Sequence, residues 1–444
     1  MSGIVARLIA AATAVLCLCA AAPAEEKHKA APPLVFEYQG LLDSDLVCAW
    51  ESWESTVAED TSRPAQRRAD AYNNRAVWRY FRGRYETALD DLNEAIKLQP
   101  KAIYYSNRGV IHRKLAVLAT STKDRQHHWE QAKADYRKAL DTAGGELPFA
   151  HNNLGWLLVL EANQQRDEEK RYELLKQAKE HLSKAAKAGT DEEPLLPLGH
   201  VNLAAASICE DDLKAADKHL KAVAGRVNKA EEPWTEQCSL LNLGELARCQ
   251  GDWETAARRY QDAYQLGKPD QLPPPSAQLA EAKSTEADRS PWILQRLGAA
   301  RFLLGWYDKA YRDLTAAAGK FGPETTAGRY AALLAALAKA RQEEQKKIQT
   351  TREMSRPKRW IDALEAYLAG HLSARSLKGA ARDKNPAAER AKKCEMYYYM
   401  GEKRLLETGG VMDDEARKLF KEALKAGEAH RLERTMAQYR LTNE

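Results

Sequence analysis

Five asparagines, Asn74, Asn107, Asn153, Asn202 and Asn242, each stand two residues before an alanine or glycine that opens a recurring spacing. A carboxamide offers donors and an acceptor together, so a row of them can pair with the N–H and C=O of an extended peptide whatever its side chains. The same amides can equally bond one helix to the next. Bond-making chemistry is not indicated. The sequence has no HExxH, no GxSxG, no glycine-rich phosphate loop and no CxxC pair, and its ten histidines are scattered. His127 and His128 adjoin, but neighbours on a helix point about 100° apart, so they are not expected to share a metal. No catalytic residue, metal ligand or cofactor is assigned, and the chain is not expected to be an enzyme.

The elements that must carry these amides are set by a second pattern. From Tyr72 to Pro100, Ala76, Ala88, Leu92, Ala95 and Pro100 fall at offsets 0, 12, 16, 19 and 24. The same frame returns at Gly109/Ala132/Tyr136/Ala139, Gly155/Ala178/Leu182/Ala185, Ala204/Ala216/Leu220/Val223, Gly244/Ala256/Tyr260/Ala263 and Gly298/Ala310/Leu314/Ala317, and more loosely at Gly401/Ala416/Phe420/Ala423. Small residues at the first two offsets let two antiparallel helices cross closely, and the third small residue lets the next pair dock. A large residue recurs three positions before the second-helix alanine, as Tyr85, Trp129, Leu175, Leu213, Trp253 and Tyr307, where a wedge between the helices is expected. In the second and third repeats the first spacing is 23 instead of 12. The added residues amount to about three helical turns, so two adjacent hairpins should be taller than the rest. Their tips form either a contact edge for a partner or a simple elongation.

These offsets resemble the tetratricopeptide repeat (TPR). The resemblance implies an all-α, right-handed superhelical solenoid of helix hairpins with capping helices, which binds proteins and does no chemistry. In such a stack the first helix of each hairpin lines the concave surface and the residue two before its small position faces the groove. The candidate peptide-binding groove is therefore Asn74, Asn107, Asn153, Asn202 and Asn242, with Tyr80, Phe81, Trp156, Arg248 and Phe302 as further lining. The asparagine row stops at Arg296 in the sixth repeat and Tyr399 in the last. The arrangement of two lysines and two asparagines that clamps a terminal carboxylate in some TPR proteins is not matched, because Asn73 and Val77 stand at two of its places.

Composition bounds the rest. The 444 residues carry a net charge of +5, with basic and acidic residues interleaved and without the one-sided basic stripe a nucleic-acid binder shows. The first residues, with Arg7, an apolar run from Leu8 and the small end Ala22-Pro23-Ala24, read as a secretory signal peptide over 1–24. An uncleaved anchor is the alternative. Leucines before Cys17 and Cys19 argue against lipid attachment. The expected location is exported, in the periplasm or outside a bacterial cell, with no later membrane span. Five cysteines remain beyond the leader, an odd number that leaves at least one thiol unpaired or paired between chains. Cys238 and Cys249, too far apart on one helix to bridge, read as small core residues.

Along the chain the expected order is an N-terminal tail and capping helix over 25–68, five repeats over 69–266, a proline-rich linker over 267–290 and a C-terminal TPR module over 291–444. In the capping helix Leu42, Leu46, Ala49, Trp50 and Trp53 line one face. From about Gly305 to Leu441, the positions Trp360, Tyr367, Gly370, Tyr399, Gly401, Phe420 and Ala423 are similar to the C-terminal half of NlpI-type envelope TPR proteins. That likeness implies an adaptor, often dimeric, that docks envelope proteases and cell-wall hydrolases. The chain departs from it by lacking a usable lipobox and by its elongated repeats. The expected function is an exported scaffold that holds an extended segment of a protein or peptide partner. The alternative is a self-associating envelope component, a homo-oligomer through its C-terminal module, whose groove is filled internally.

Overall fold

The computed structural model describes residues 44–119, 121–145, 147–165, 167–187, 197–225, 233–266, 290–349, 357–427 and 432–443, and the side chains of these except 44–50, 81, 117, 122, 163, 164, 168, 233, 234 and 387. The expected signal peptide and nearly all of the proline-rich linker lie outside the described residues. Nineteen helices and no strand occur among them.

A first helix, α1 (Ser44–Glu59), precedes the hairpins α2 (Ala65–Phe81) with α3 (Tyr85–Leu98), α4 (Ala102–Leu118) with α5 (Thr122–Thr142), and α6 (Pro148–Gln164) with α7 (Glu168–Lys187). Next come α8 (Pro197–Cys209) with α9 (Leu213–Val223), α10 (Pro233–Cys249) with α11 (Trp253–Leu266), and α12 (Ser290–Leu303) with α13 (Tyr307–Phe321). The chain continues through α14 (Thr326–Gln342), α15 (Trp360–Leu368) and α16 (Ala374–Ala380) to a seventh hairpin, α17 (Pro386–Glu407) with α18 (Asp414–Ala426), and ends in α19 (Leu432–Asn443). The first six hairpins pack each on the next, and α14–α16 join the sixth to the seventh, which is the all-α TPR-type solenoid expected from the spacing.

The contact that closes each hairpin is a small residue under a large one. A methyl group placed on Gly109, Gly244 or Gly401 would stand 2.5–2.6 Å from the ring of Tyr136, Tyr260 or Phe420, and on Gly155 or Gly298 equally close to Leu182 or Leu314. Real Cβ atoms do not approach that closely, so glycine is required wherever an aromatic ring crosses. The two hairpins with alanine at this position, Ala76 and Ala204, carry leucine, Leu92 and Leu220, at the matching place. Tyr85, Trp129, Leu175 and Trp253 are buried where the wedge was expected.

Hairpin turns follow from the same economy. Gly83, Gly251 and Gly305 hold φ of 72°, 83° and 76°, the left-handed region that favours glycine, and Asp211 does the same at 65° in the fourth hairpin. Ser121, Asp212 and Asp413 then accept hydrogen bonds from Asp124, Ala215 and Ala416 amides, capping α5, α9 and α18.

The two tall hairpins divide their extra length unequally. α4 runs nine residues past Gly109 and α6 nine past Gly155, against five past Ala76 in α2. α5 starts ten residues before Ala132 and α7 ten before Ala178, against three before Ala88 in α3. The extended second helices tie forward onto the next hairpin. Lys133 Nζ stands 3.0 Å from Glu161 on α6, Lys179 Nζ 2.6 Å from Glu210, and Arg171 donates to the Cys209 carbonyl at 2.7 Å.

α1 caps the first hairpin as expected, but through charge. Arg75 bridges Glu59 and the buried Asp91 at 2.8 and 2.7 Å, and Glu51 gathers Arg79, Arg82 and Arg84. Trp53, expected on the packed face, is 48 % exposed, while Glu51, Glu54, Val57 and Ala58 turn inward. Trp53 is therefore off the packed face, where carboxylates meet the arginines of α2 and the α2–α3 turn; Leu42 and the side chains of Leu46, Ala49 and Trp50 lie outside the described residues.

Replacing Gly244 by Ala is expected to destabilise the chain by about 1–3 kcal/mol through overpacking against Tyr260. Gly319→Ala, on an exposed helical site with open space around it, should instead stabilise by about 0.5–1 kcal/mol. Urea unfolding of both variants checks the pair.

Candidate partner-binding face

The asparagine row lies along successive first helices, and most of its amides bond to the helix before. Asn107, 1 % exposed, donates to Asn73 Oδ1 at 2.8 Å, and Asn73 donates to Asn74 at 3.2 Å. Asn74 in turn donates to Glu54 on α1 at 3.1 Å. Asn202 donates to Asn152 at 2.9 Å, and Asn242 to the Val201 carbonyl at 2.8 Å. Three of them follow one rule: Asn107, Asn202 and Asn242 each reach the residue three before the small position of the preceding hairpin, using its side chain where that is Asn73 or Asn152 and its backbone where it is Val201. Asn74, Asn107 and Asn202 are buried, Asn242 is half-buried, and their donors are engaged within the stack. Asn153 is half-buried, as Asn242 is. Glu54, facing Asn74, is pushed up to about 7 by burial against the pull of that amide, with the Asp70 carboxylate adding to the rise.

The remaining lining residues divide in the same way. Tyr80 is buried with its ring edge-on to Tyr85, 5.5 Å away in its own hairpin, and so faces its second helix and not a ligand. The Phe81 side chain lies outside the described residues. Trp156, next to Gly155, is part-exposed.

Arg248 and Phe302 are covered by the chain's own last helix. Arg248 is 2 % exposed and donates to Thr435 Oγ1 on α19 at 2.8 Å. Tyr439 meets Trp253 edge-on at 6.1 Å, and the Arg440 guanidinium lies 5.3 Å above the Phe302 ring. A charge cluster supports this joint. Burial works against Glu245, but the Arg248 and Arg296 guanidiniums hold its carboxyl down at about 2, and Tyr260 donates to it at 2.8 Å. Arg440 and Arg341 likewise hold the fully buried Glu402 below the usual carboxylate range against its desolvation. These two positions of the expected groove are thus internal, Phe302 as part of a buried apolar cluster that runs from Leu240 to Ala437. Among the described residues, α4, α6 and α8 pack mainly on helices of their own and adjoining hairpins.

No protein-family profile and no curated protein matches the sequence. Among solved structures, the chain is similar to PilW, a type IV pilus biogenesis factor, at 15 % identity and TM-score 0.40 over 59 % of this chain and 97 % of that one. It is also similar to TTC0263, a TPR protein of Thermus thermophilus, at 18 % identity and TM-score 0.36 over 49 % and 98 %. YrrB, a TPR protein with an unusual peptide-binding site, matches at 19 % identity and TM-score 0.31 over 53 % and 99 %. The fold rests on this chain's own helices and contacts, not on these likenesses. No helix among the described residues is long and apolar enough to cross a membrane, and no cluster of three or more metal-ligating side chains occurs among them.

Asn202→Ala leaves the buried Asn152 amide without its donor, and should cost about 1–3 kcal/mol of stability. Thermal unfolding measures it, and Asn153→Ala, on the part-exposed site, should change stability far less.

Proposed function

We propose that the chain is a non-catalytic protein-binding scaffold that holds an extended segment of a partner on the first-helix face of its second to fourth hairpins. The observation that carries this reading is the contrast along one face. Around α10 and α12 the surface is filled by α19, whereas α4, α6 and α8 have no such cover among the described residues. Within that stretch Asn153 offers an amide for a peptide backbone and Trp156 an aromatic surface for a side chain. Export fits the reading of residues 1–24 as a leader, and the likeness of the C-terminal third to NlpI-type adaptors points to partners in a bacterial envelope.

The covered end favours a second role for the C-terminal module. The contacts of α19 with Arg248 and Phe302 support a structural part of the chain there, with its outer surface as the place for self-association. Light scattering of the mature chain distinguishes a monomer from a dimer.

The double variant Asn153→Ala/Trp156→Ala should fold as the parent does and lose partner capture by about tenfold or more, the scale of removing an aromatic anchor and a hydrogen bond. Quantitative pull-down from envelope extract, read by mass spectrometry against the parent chain, measures this. Equal capture by both chains would contradict the assignment of the face.

A further inference from the structure

Six of the ten histidines form three pairs, one inside each of the second, third and fourth hairpins. His112 on α4 faces His128 on α5 with Nδ1 atoms 3.1 Å apart, His151 on α6 faces His181 on α7 at 2.8 Å, and His200 on α8 faces His219 on α9 at 3.1 Å. Each pair joins a first helix to its second. In the third and fourth hairpins the histidines stand four before the first small residue and three after the second-helix alanine, and in the second hairpin the offsets are exchanged.

Two imidazoles at this distance can share a metal ion or a proton, and ring geometry decides between them. The ring centroids are 5.3, 5.1 and 5.3 Å apart. Each separation exceeds its N···N distance by about twice the radius of an imidazole ring, roughly 1.1 Å, so the rings lie end to end along the N···N line. At these N···N distances of 2.8–3.1 Å, ligands of one ion at about 2.0–2.1 Å would bend toward it and draw the centroids in below roughly 5 Å. End-to-end rings are the arrangement of an N–H···N hydrogen bond. In the third hairpin His151 Nε2–H donates to the Gly145 carbonyl at 3.0 Å, which leaves its Nδ1 as acceptor and makes His181 the donor.

We propose that the three histidine pairs form an acid-sensitive clasp that holds the second, third and fourth hairpins closed at neutral pH and loosens them on acidification. A first added proton places a charge in a part-buried site, and a second removes the only acceptor of the shared bond and sets two cations against each other. The surroundings add to this. His112 faces Arg108 and His127 as well as the Asp135 carboxylate at 4.0 Å, and His128 faces His127, Asp124 and, from the preceding hairpin, Glu86. His151 faces Lys184, and His181 faces Lys184, Glu180 and, from the preceding hairpin, Arg137. His219 faces Lys218 and Asp212 and, from the preceding hairpin, Lys179. Burial first, and the partner ring next, press His112 and His181 down to about 4, and His128, His151 and His219 are also lowered, burial again foremost.

The sign follows from folded values below the unfolded value. The clasp is fully effective above the ordinary histidine range near 6.5 and is lost as pH falls from there toward about 4. Between pH 7.5 and 5.0, a single group such as His112 raises the opening equilibrium by roughly thirtyfold.

Hydrogen exchange of the full chain at pH 7.5 and 5.0, corrected for intrinsic exchange rates, tests this. Residues 102–223 should lose protection by tenfold or more on acidification while 290–443 change little. The triple variant His128→Gln/His181→Gln/His219→Gln should flatten that difference. Unchanged protection in 102–223, or an undiminished response in the folded triple variant, would overturn the proposal. Should the variant fail to fold, ring 1H–13C spectra of the parent chain decide: paired histidines titrating well below the ordinary histidine range near 6.5 support the clasp, and titration within that range overturns it. Protection gained at neutral pH on adding Cu2+ or Zn2+ would replace the shared proton with a shared ion.

Discussion

Everything in this chain depends on a helix backbone coming close enough to touch a large side chain on its partner helix. At five hairpins the first helix offers a bare glycine, and Tyr136, Leu182, Tyr260, Leu314 or Phe420 lies directly against it. A hairpin closed in this way buries its apolar interior but leaves both outer faces unsatisfied, so it is stable only when stacked. Stacking in turn creates a continuous first-helix face and two ends. The end at α1 is closed by carboxylates meeting arginines, and α19 folds back to cover the first helices α10 and α12 of the fifth and sixth hairpins.

That closure changes what the face can do. Polar groups that look like ligand-binding equipment in a single helix become joints once the stack forms, because a buried amide or guanidinium must find a partner. Asn107, Asn202 and Arg248 follow this logic, each bonded to a neighbouring or distant helix. Asn153 and Trp156, both half-buried, lie in the third hairpin, one of the two tall hairpins, which also carry two of the three histidine pairs.

The hairpins are legible in the sequence because a small residue and its large partner keep a fixed separation, and because insertion of 11 residues in two repeats leaves the frame intact on either side. The destiny of the asparagines is harder to read. An amide on a helix face serves a ligand or a neighbour equally well, and the deciding acceptor lies in another repeat. A signal existed in the doubled Asn73-Asn74 and Asn152-Asn153, which place an acceptor beside each donor position. The histidine pairs also had a signal, the matched offsets on the two helices of one hairpin, hidden by the distance between partners along the chain. The cover over Arg248 had none, since Thr435 lies 187 residues away and carries no periodicity. Trp53 misleads because an apolar stripe predicts the buried face only where the neighbour is apolar.

The close approach of backbone to ring is tested most directly by a double-mutant cycle at Gly401 and Phe420, where the crossing ring carries no hydroxyl. Gly401→Ala, Phe420→Leu and the double variant are compared by urea unfolding. If the glycine exists to admit the ring, the double variant, which recreates the alanine–leucine pairing of the first and fourth hairpins, should recover about 1 kcal/mol or more relative to the sum of the single variants. Strict additivity of the two losses would contradict the account.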